Sequence, residues 1–284
     1  MSLSGGLSRP TGMILITGAS GTVGRPLVEL LVNAGVKVRA VARNPAGLPR
    51  IVEVVDKPVL EGVTGLFANP RAIDLDLIEQ AKEHGVRRLV ALSASNVDDD
   101  PDRQPSRFRG DRNREVERAV TASGLDWVAL RPYTFAANAI GMWAEQIRHG
   151  DVVRGTYPRA TWSPIHERDL AEVAVRALLD DDLLGARPVL TGPESLTQEE
   201  MTHTIGRAIG RPLQYVETPP DVARKMMVER GFPDEFVAGL LALQAKSVGT
   251  PALVTNEVRR ILGRPALTFA RWADDNAYVF RSAA

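Results

Sequence analysis

The stretch Met13-Ile14-Leu15-Ile16-Thr17-Gly18-Ala19-Ser20-Gly21-Thr22-Val23-Gly24 decides the fold. Its first five residues form a nearly continuous apolar run, which is typical of a parallel strand buried on both faces. Glycines then turn the chain, and residues 25–34 carry apolar side chains at helical spacing with Gly35 behind them. A second strand-like run covers residues 37–42. The sequence therefore predicts a β-α-β unit of about 30 residues.

The same alternation continues along the chain. Further strands are predicted at 52–55, 63–68, 88–93, 126–130 and 188–191, and further helices at 75–84, 111–123 and 168–179. We expect the strand at 126–130 to stop at Arg131-Pro132. Strands that alternate with helices indicate an α/β fold with a doubly wound parallel Rossmann sheet. Beyond Gly192, the capping-box sequence Thr197-Gln198-Glu199-Glu200 opens a smaller, mainly helical C-terminal lobe.

These patterns divide the chain into three parts. Residues 1–11 are predicted to be a flexible lead-in, 12–135 plus 161–192 a dinucleotide-binding core, and 136–160 plus 193–284 a substrate-side lobe. The polar segment 98–110 directly follows a predicted strand, so we expect it at the ligand crevice, where it could act as a lid.

Composition narrows the function classes. The 284 residues include 35 basic and 35 acidic side chains, which gives no electrostatic argument for nucleic-acid binding. Cysteine is absent and there are four histidines, so no metal site is expected. No apolar run approaches the roughly 20 residues of a membrane span, and the first residues lack the apolar region of a signal peptide. A cytoplasmic protein with a small-molecule partner is predicted.

The glycine-rich turn predicts the ligand. Gly18, Gly21 and Gly24 follow a buried strand and open a helix. Glycines let the backbone approach a pyrophosphate, and the helix N-terminus offers free N–H groups to it. The glycine spacing alone is weak evidence, but together with its context it predicts a nicotinamide dinucleotide site.

The end of the second strand bears on which dinucleotide is bound. NAD-preferring folds place an acid there, whereas an arginine suits the 2′-phosphate of NADP. Here Arg43 occupies the position and Arg39 lies just upstream, so NADP is preferred and NAD is left open. The alternative is that Arg43 is simply a solvated loop residue.

Four segments together resemble the NmrA-like branch of the atypical short-chain dehydrogenase/reductases, from Met13 to about Trp272. These segments are the glycine-rich turn, 123–132 with its Arg131-Pro132 end, Ile165-His166-Glu167-Arg168-Asp169-Leu170-Ala171, and Leu190-Thr191-Gly192-Pro193-Glu194. The resemblance implies that Gly18, Ser20, Gly21, Thr22 and Val23, with Gly24, line the pyrophosphate. It further implies Arg43 at the adenosine end, Asn69-Pro70 and Ser93 beside the ribose and nicotinamide, and Asn138 facing the substrate cleft.

The resemblance also implies an activity. Members of the branch include NAD(P)H-dependent reductases of quinones or other conjugated, often aromatic acceptors, and nucleotide-sensing regulators without demonstrated turnover. The Tyr-x-x-x-Lys pair of ordinary short-chain dehydrogenases is missing, because the corresponding helix reads Asp111-Arg112-Asn113-Arg114-Glu115-Val116-Glu117. The segment between Val55 and Gly62 is also shorter than in relatives.

Candidate catalytic residues follow segments that should end at the sheet's carboxyl edge. Tyr133 and His166 are the candidate proton donors, although a packed tyrosine and a helix-capping histidine are the alternatives. Asn138, or Asn113, would orient a substrate carbonyl. The remaining aromatic side chains are predicted either to line an acceptor pocket or to pack in the core of the lobe, and they are Trp143, Trp162, Phe232 and Phe236.

Two functions remain open at this stage. The first is an NADP-preferring oxidoreductase that transfers hydride to a small conjugated or quinone-like acceptor. The second is a non-catalytic NADP(H) sensor that acts through a regulatory protein partner. A sugar-nucleotide epimerase ranks last, since the tyrosine and lysine that it would need are missing. A homodimer is neither predicted nor excluded.

Overall fold

The computed structural model describes residues 12–99 and 111–281. The strands are β1 (Met13–Thr17), β2 (Lys37–Val41), β3 (Glu53–Val55), β4 (Val63–Ala68), β5 (Arg88–Leu92), β6 (Asp126–Pro132), β7 (Thr134–Phe135), β8 (Val152–Gly155), β9 (Thr161–Trp162), β10 (Pro164–Ile165), β11 (Val189–Leu190), β12 (Leu196–Thr197) and β13 (Gln214–Glu217). The helices are α1 (Gly24–Asn33), α2 (Asp76–Glu83), α3 (Arg112–Ala122), α4 (Asn138–His149), α5 (Glu167–Leu179), α6 (Gln198–Ile209), α7 (Pro220–Glu229), α8 (Asp234–Ser247), α9 (Glu257–Leu262), α10 (Phe269–Asp275) and α11 (Ala277–Phe280).

Seven parallel strands form the central sheet in the order β11-β6-β5-β4-β1-β2-β3. The strand order reverses between β1 and β4, where an open α/β sheet forms its ligand crevice. The predicted doubly wound Rossmann fold is therefore confirmed.

Strand β1 shows why its sequence is almost wholly apolar. Ile14 and Ile16 belong to the core on one face of the sheet, together with α1 and α5. Leu15 belongs to the core on the other face, together with α2 and α3. Successive side chains of a strand point to opposite faces, so a strand covered by helices on both sides needs apolar residues at every position.

One strand boundary differs from the prediction. Strand β6 runs through Arg131 and Pro132, where the sequence predicted a stop. Pro132 needs no backbone donor at this end, and its carbonyl accepts a hydrogen bond from the Ser95 N–H at 3.0 Å. The Arg131 N–H bonds the Pro188 carbonyl and the Tyr133 N–H bonds that of Leu190, so pairing with the edge continues around the proline.

The predicted lead-in at 1–11 and most of the predicted lid at 98–110 lie outside the described residues. No described helix has the length and apolar character that crossing a membrane requires.

A third apolar core lies beyond the sheet and is mainly helical. It joins α4, α6, α10 and α11, with Trp143 and Trp272 buried in it. The rings of Phe269 and Trp272, both on α10, stack at 5.2 Å, and both side chains are buried in this core. The Thr197–Glu200 capping box is also present at the start of α6.

The C-terminal part of the chain returns to the sheet. Val258 in α9 is buried in the same core as β1 and α5. Asp169 of α5 is fully buried and is bound by partners far along the chain, namely the Arg264 guanidinium at 2.7 Å and the Leu267 N–H at 2.7 Å. Residues near 260 therefore complete the packing and the charge balance of α5.

Candidate cofactor and acceptor site

The glycine-rich turn is shaped by backbone contacts. Gly18 has a φ of +67°, a conformation that residues with a side chain rarely adopt. A Cβ atom on Gly24 would lie 2.2 Å from the Gly18 carbonyl oxygen, which no side chain can tolerate. The N–H groups of Ser20, Thr22 and Val23 bond no described residue. Glycine at these positions therefore leaves a narrow cradle with free donors at the start of α1, which suits a pyrophosphate.

Thr17 fixes the neighbouring wall of the crevice. Its hydroxyl donates to the Phe67 carbonyl at 2.9 Å and accepts the Asn69 N–H at 2.8 Å. These bonds join the carboxyl ends of β1 and β4 on either side of the switch point. The Asn69 amide lies against Gly18, since a Cβ on that glycine would be 2.6 Å from Nδ2. The Asn69 side chain thus borders the turn.

The two arginines near the end of β2 have different environments. Arg39 is buried, forms an ion pair with Glu53 at 2.7 Å, and donates to the carbonyls of Val59 and Glu61. Arg43 is exposed and pairs with no described residue. Arg39 therefore supports the short segment after β3, and of these two arginines Arg43 is the one available to a phosphate.

Sequence reasoning missed a third arginine at this end. The Arg25 guanidinium lies against Gly47, whose φ is +81°, with Nη1 only 2.6 Å from where a Cβ would stand. Arg25 thereby reaches the loop that carries Arg43. Its place directly after Gly24 was the available signal.

Ser93 lies at the end of β5 above a buried charge network that the sequence did not predict. Its hydroxyl donates to the carboxylate of Glu117, which is 5% exposed. Arg131 donates to both oxygens of that carboxylate, at 2.6 and 3.1 Å, and Arg187 donates at 3.0 Å. Burial works against ionisation, but the bonds from Arg131 and Ser93 outweigh it and lower the pKa of Glu117 below its usual 4.5. An acid on the inner face of a helix was the signal that could have identified it.

Tyr133 and Asn138 lie beyond the end of β6 and carry free polar groups. The Tyr133 side chain is half-buried, and its hydroxyl makes no hydrogen bond with any described residue. Burial, and secondarily the charge of Asp99, raises the pKa of Tyr133 above its usual 10.0. Asn138 is the exposed first residue of α4. A tyrosine that keeps its proton and has no hydrogen-bond partner among the described residues is suited to donate that proton.

The contacts of His166 support the alternative that it caps a helix. It is the N-cap residue of α5, where Nδ1 accepts the Arg168 N–H at 3.2 Å. Its Nε2 lies 3.3 Å from a carboxylate oxygen of Asp275. Burial lowers the pKa of His166 below its usual 6.5, against the opposing effect of Asp275. Both ring nitrogens are engaged, which favours the helix-capping alternative over proton donation.

The aromatic candidates divide between core and surface. Trp143 is buried edge-on against Tyr215, and Trp162 packs on the same core. Phe232 and Phe236 stack at 5.8 Å in the α7–α8 hairpin, where Phe232 is 46% exposed. Asn113 lies partly buried on α3. Only the two phenylalanines therefore present apolar rings outside the core.

Comparison with known proteins agrees with this geometry. A model of an NAD(P)H-binding family matches residues 75–181. A (4-alkanoyl-5-oxo-2,5-dihydrofuran-3-yl)methyl phosphate reductase of Streptomyces griseus is 37% identical over 94% of this chain and 99% of its own. An NAD(P)H azoreductase of Xenophilus azovorans is 29% identical over 95% of this chain and 100% of its own.

Solved structures share the fold. An NADPH-dependent quinone oxidoreductase of Escherichia coli, complexed with NADPH, superposes with a TM-score of 0.75 at 20% identity, covering 93% of this chain and 99% of that one. The resemblance recognised in the sequence is confirmed by these findings. The chain is an NAD(P)H-dependent oxidoreductase and belongs to the same family as the Streptomyces griseus reductase.

Proposed function

We propose that the protein uses NADPH to reduce a small conjugated acceptor, in which a double bond is polarised by a neighbouring carbonyl or belongs to a quinone-like ring. The observation that carries this proposal is the 37% identity, over 94% of the chain, to a reductase whose named substrate is an unsaturated lactone. In that substrate the ring double bond is conjugated with the ring carbonyl and with the alkanoyl group, so it can accept hydride.

The residues of the crevice have separate tasks in this reaction. Bound NADPH supplies the hydride. The Gly18–Gly24 turn and the N–H groups of Ser20, Thr22 and Val23 hold the pyrophosphate, and Asn69, Pro70 and Ser93 border the ribose and nicotinamide. This arrangement fixes the cofactor at the switch point of the sheet.

Tyr133 completes the reduction on the acceptor side. Hydride adds to one carbon of the double bond, and the electron pair moves towards the conjugated carbonyl. The Tyr133 hydroxyl then delivers a proton to the adjacent carbon or to the oxygen, and solvent reprotonates the tyrosine. Asn138 orients the acceptor carbonyl. His166 has no part in this step, because both of its ring nitrogens are bonded.

Arg43 provides the preference for NADP. It is exposed at the end of β2, no acid stands at that position, and the neighbouring Arg39 is fully occupied by Glu53 and two carbonyls. A free guanidinium at the adenosine end would pair with the 2′-phosphate. The cytoplasmic location predicted from the sequence belongs to the same proposal.

The test combines cofactor binding with turnover. We expect NADPH to bind more tightly than NADH. Addition of an acyl-substituted unsaturated lactone or a quinone should cause oxidation of NADPH, which is measured by the absorbance of the nicotinamide ring. Arg43→Asp should weaken NADPH binding by about 10- to 100-fold and leave NADH binding nearly unchanged. Lys225→Asp is the control, since it makes the same charge change at an exposed position of α7.

Two outcomes would contradict the proposal in different ways. Equal affinity of wild type for NADPH and NADH would remove the NADP preference. Tight NADPH binding without turnover on unsaturated lactones, quinones and azo dyes would favour the redox sensor that acts through a protein partner.

A further inference from the structure

A pocket of about 380 Å³ lies between α3 and the strands β6 and β11. One wall is a single face of α3, because Arg114, Glu117, Arg118 and Thr121 follow each other at helical spacing. Arg131 of β6, Arg187, which precedes β11, and the loop after β5 with Asp98 form the opposite side. The pocket therefore lies beside the proposed active site, on the outer side of Glu117.

Arginine dominates the lining of this pocket. Four guanidinium groups face two carboxylates, and both carboxylates are already used. Glu117 is shared by Arg131 and Arg187, and Asp98 pairs with Arg131 at 2.7 Å. Two arginines and two acids thus balance each other and leave two positive charges.

The two remaining arginines are poorly compensated. Arg118 is exposed, and its guanidinium makes no hydrogen bond or ion pair with any residue in 12–99 or 111–281. Among the described residues, the Arg114 guanidinium approaches one carboxylate, that of Asp111 at 3.8 Å, and Asp111 does not line the pocket. Uncompensated guanidiniums around a concave site attract an anion, and two of them match a double negative charge.

The balanced arginines are held in place before any ligand arrives. Arg131 donates hydrogen bonds to both carboxylate oxygens of Glu117, and the Arg131 side chain is 13% exposed. The Arg187 guanidinium lies 4.5 Å above the ring of Trp127. Arginines fixed in this way lose little further conformational freedom on binding, so the pocket is preorganised for an oxyanion.

We propose that this pocket is an anion site that takes a small dianionic group, of which a phosphate monoester is the best match. Arg118 and Arg114 bind the oxygens of the anion, and Arg131 and Arg187, which are held in place by Glu117, form the positively charged base of the pocket. The site is separate from the pyrophosphate turn and goes beyond the proposed function. Glu117 lines this pocket and also accepts a hydrogen bond from Ser93, the residue proposed to border the ribose and nicotinamide. One hydrogen bond therefore links the anion pocket to the proposed cofactor site.

Calorimetric titration of inorganic phosphate into the NADPH-saturated protein, at constant ionic strength, tests this proposal. Saturation with NADPH occupies the turn at Gly18–Gly24, so that phosphate bound there does not contribute. We expect wild type to bind one phosphate, and Arg118→Gln and Arg114→Gln each to weaken binding about tenfold. Arg230→Gln is the matched control, because Arg230 is exposed at the end of α7 and far along the chain from the pocket.

Thermal unfolding of each variant shows whether the fold is intact, which we expect because Arg118 is exposed. The proposal is overturned if wild type shows no phosphate binding, or if both pocket variants bind phosphate as wild type does. Kinetics separate two sources of the anion: phosphate that competes with the acceptor indicates a group carried by the acceptor, and phosphate that does not compete indicates a separate effector. The calorimetric result stands even if no acceptor is turned over, so it fails independently of the proposed function.

Discussion

The proposed cofactor end of the crevice is built from backbone, whereas the proposed acceptor end is built from side chains. At the glycine-rich turn the decisive contacts are between main-chain atoms, such as the Gly24 position 2.2 Å from the Gly18 oxygen. At Tyr133 the possible chemistry depends on whether the hydroxyl has a hydrogen-bond partner among the described residues, and at His166 it depends on whether the ring nitrogens are already bonded. A site made of backbone tolerates almost no change, while a site made of side chains can change its chemistry by a single substitution.

The largest effect should come from breaking the backbone end. Gly24→Ala places a methyl group against the Gly18 carbonyl, so the turn must open, and NADPH affinity should fall by at least about 100-fold. Fluorescence titration with NADPH measures this effect. Gly141→Ala in α4 is the control, because its Cβ would meet no atom within 4 Å, and it should raise stability by about 0.5–1 kcal/mol. Nearly unchanged NADPH affinity in Gly24→Ala would show that the cradle is not as rigid as its contacts indicate.

The next largest effect concerns the charge network of Glu117, Arg131 and Arg187, which also binds the Ser93 hydroxyl and lies between the two ends of the crevice. Glu117→Gln leaves Arg131 and Arg187 without their shared carboxylate, and should lower the free energy of unfolding by about 3 kcal/mol in urea titration. Glu115→Gln on the same helix is the control, since its ion pair with Arg112 is largely exposed and should contribute less than about 1 kcal/mol.

The same variant has a pH signature. The folded-state pKa of Glu117 is lowered, so its contribution is fully present above the unfolded value of 4.5 and is lost as pH falls through the folded-state pKa. Wild type should therefore lose stability below pH 4.5 more steeply than Glu117→Gln does. Parallel pH profiles for the two proteins would contradict this assignment.

A smaller effect should follow at the acceptor end. Tyr133→Phe removes the proposed proton donor and should lower kcat by about 10- to 100-fold, with NADPH affinity unchanged. Tyr278→Phe, at a residue that is 72% exposed on α11, is the control. If kcat is unaffected by Tyr133→Phe, water delivers the proton.

The smallest effect should come from His166. His166→Ala removes the N-cap of α5 and should cost about 1 kcal/mol of stability, while His166→Asn restores a capping acceptor. Both variants should keep kcat within about twofold of wild type. A large loss of kcat in His166→Asn would return this residue to the mechanism.

His166 also predicts a pH dependence near neutrality. Its folded-state pKa is lowered, so the neutral ring stabilises the fold above the unfolded value of 6.5. That contribution is lost as pH falls through the folded-state value. The stability advantage of wild type over His166→Ala should therefore shrink between about pH 7 and pH 5 in urea titrations.

The sequence predicted the backbone end well, because its signals are local. Apolar residues at every position of β1, followed by glycines and an amphipathic helix, require no knowledge of distant parts of the chain. The capping box of α6 is equally local and was also confirmed. Pro132 was the exception, since its place in β6 depends on Ser95 and on the edge strand rather than on its neighbours.

The side-chain end was less predictable for the same reason. Glu117 finds Arg131 and Arg187, which lie 14 and 70 residues further along the chain, and no spacing rule connects them. Arg39 and Arg43 look alike in sequence, but only the fold brings Glu53 to Arg39 and leaves Arg43 free. The sequence allows His166 to be a proton donor or a helix cap, and its contact with Asp275, which bears on this choice, is made by a residue far along the chain.

The burial of Asp169 has a consequence for how the packing around α5 is completed. Its partner N–H belongs to Leu267, 98 residues later, and its guanidinium partner is Arg264. A buried carboxylate without partners is unfavourable, so the packing of α5 lacks part of its stabilisation until residues 264–267 are in place. The strands and helices up to α5 precede these residues in the chain, yet the packing around α5 is complete only once residues 258–267 have joined it.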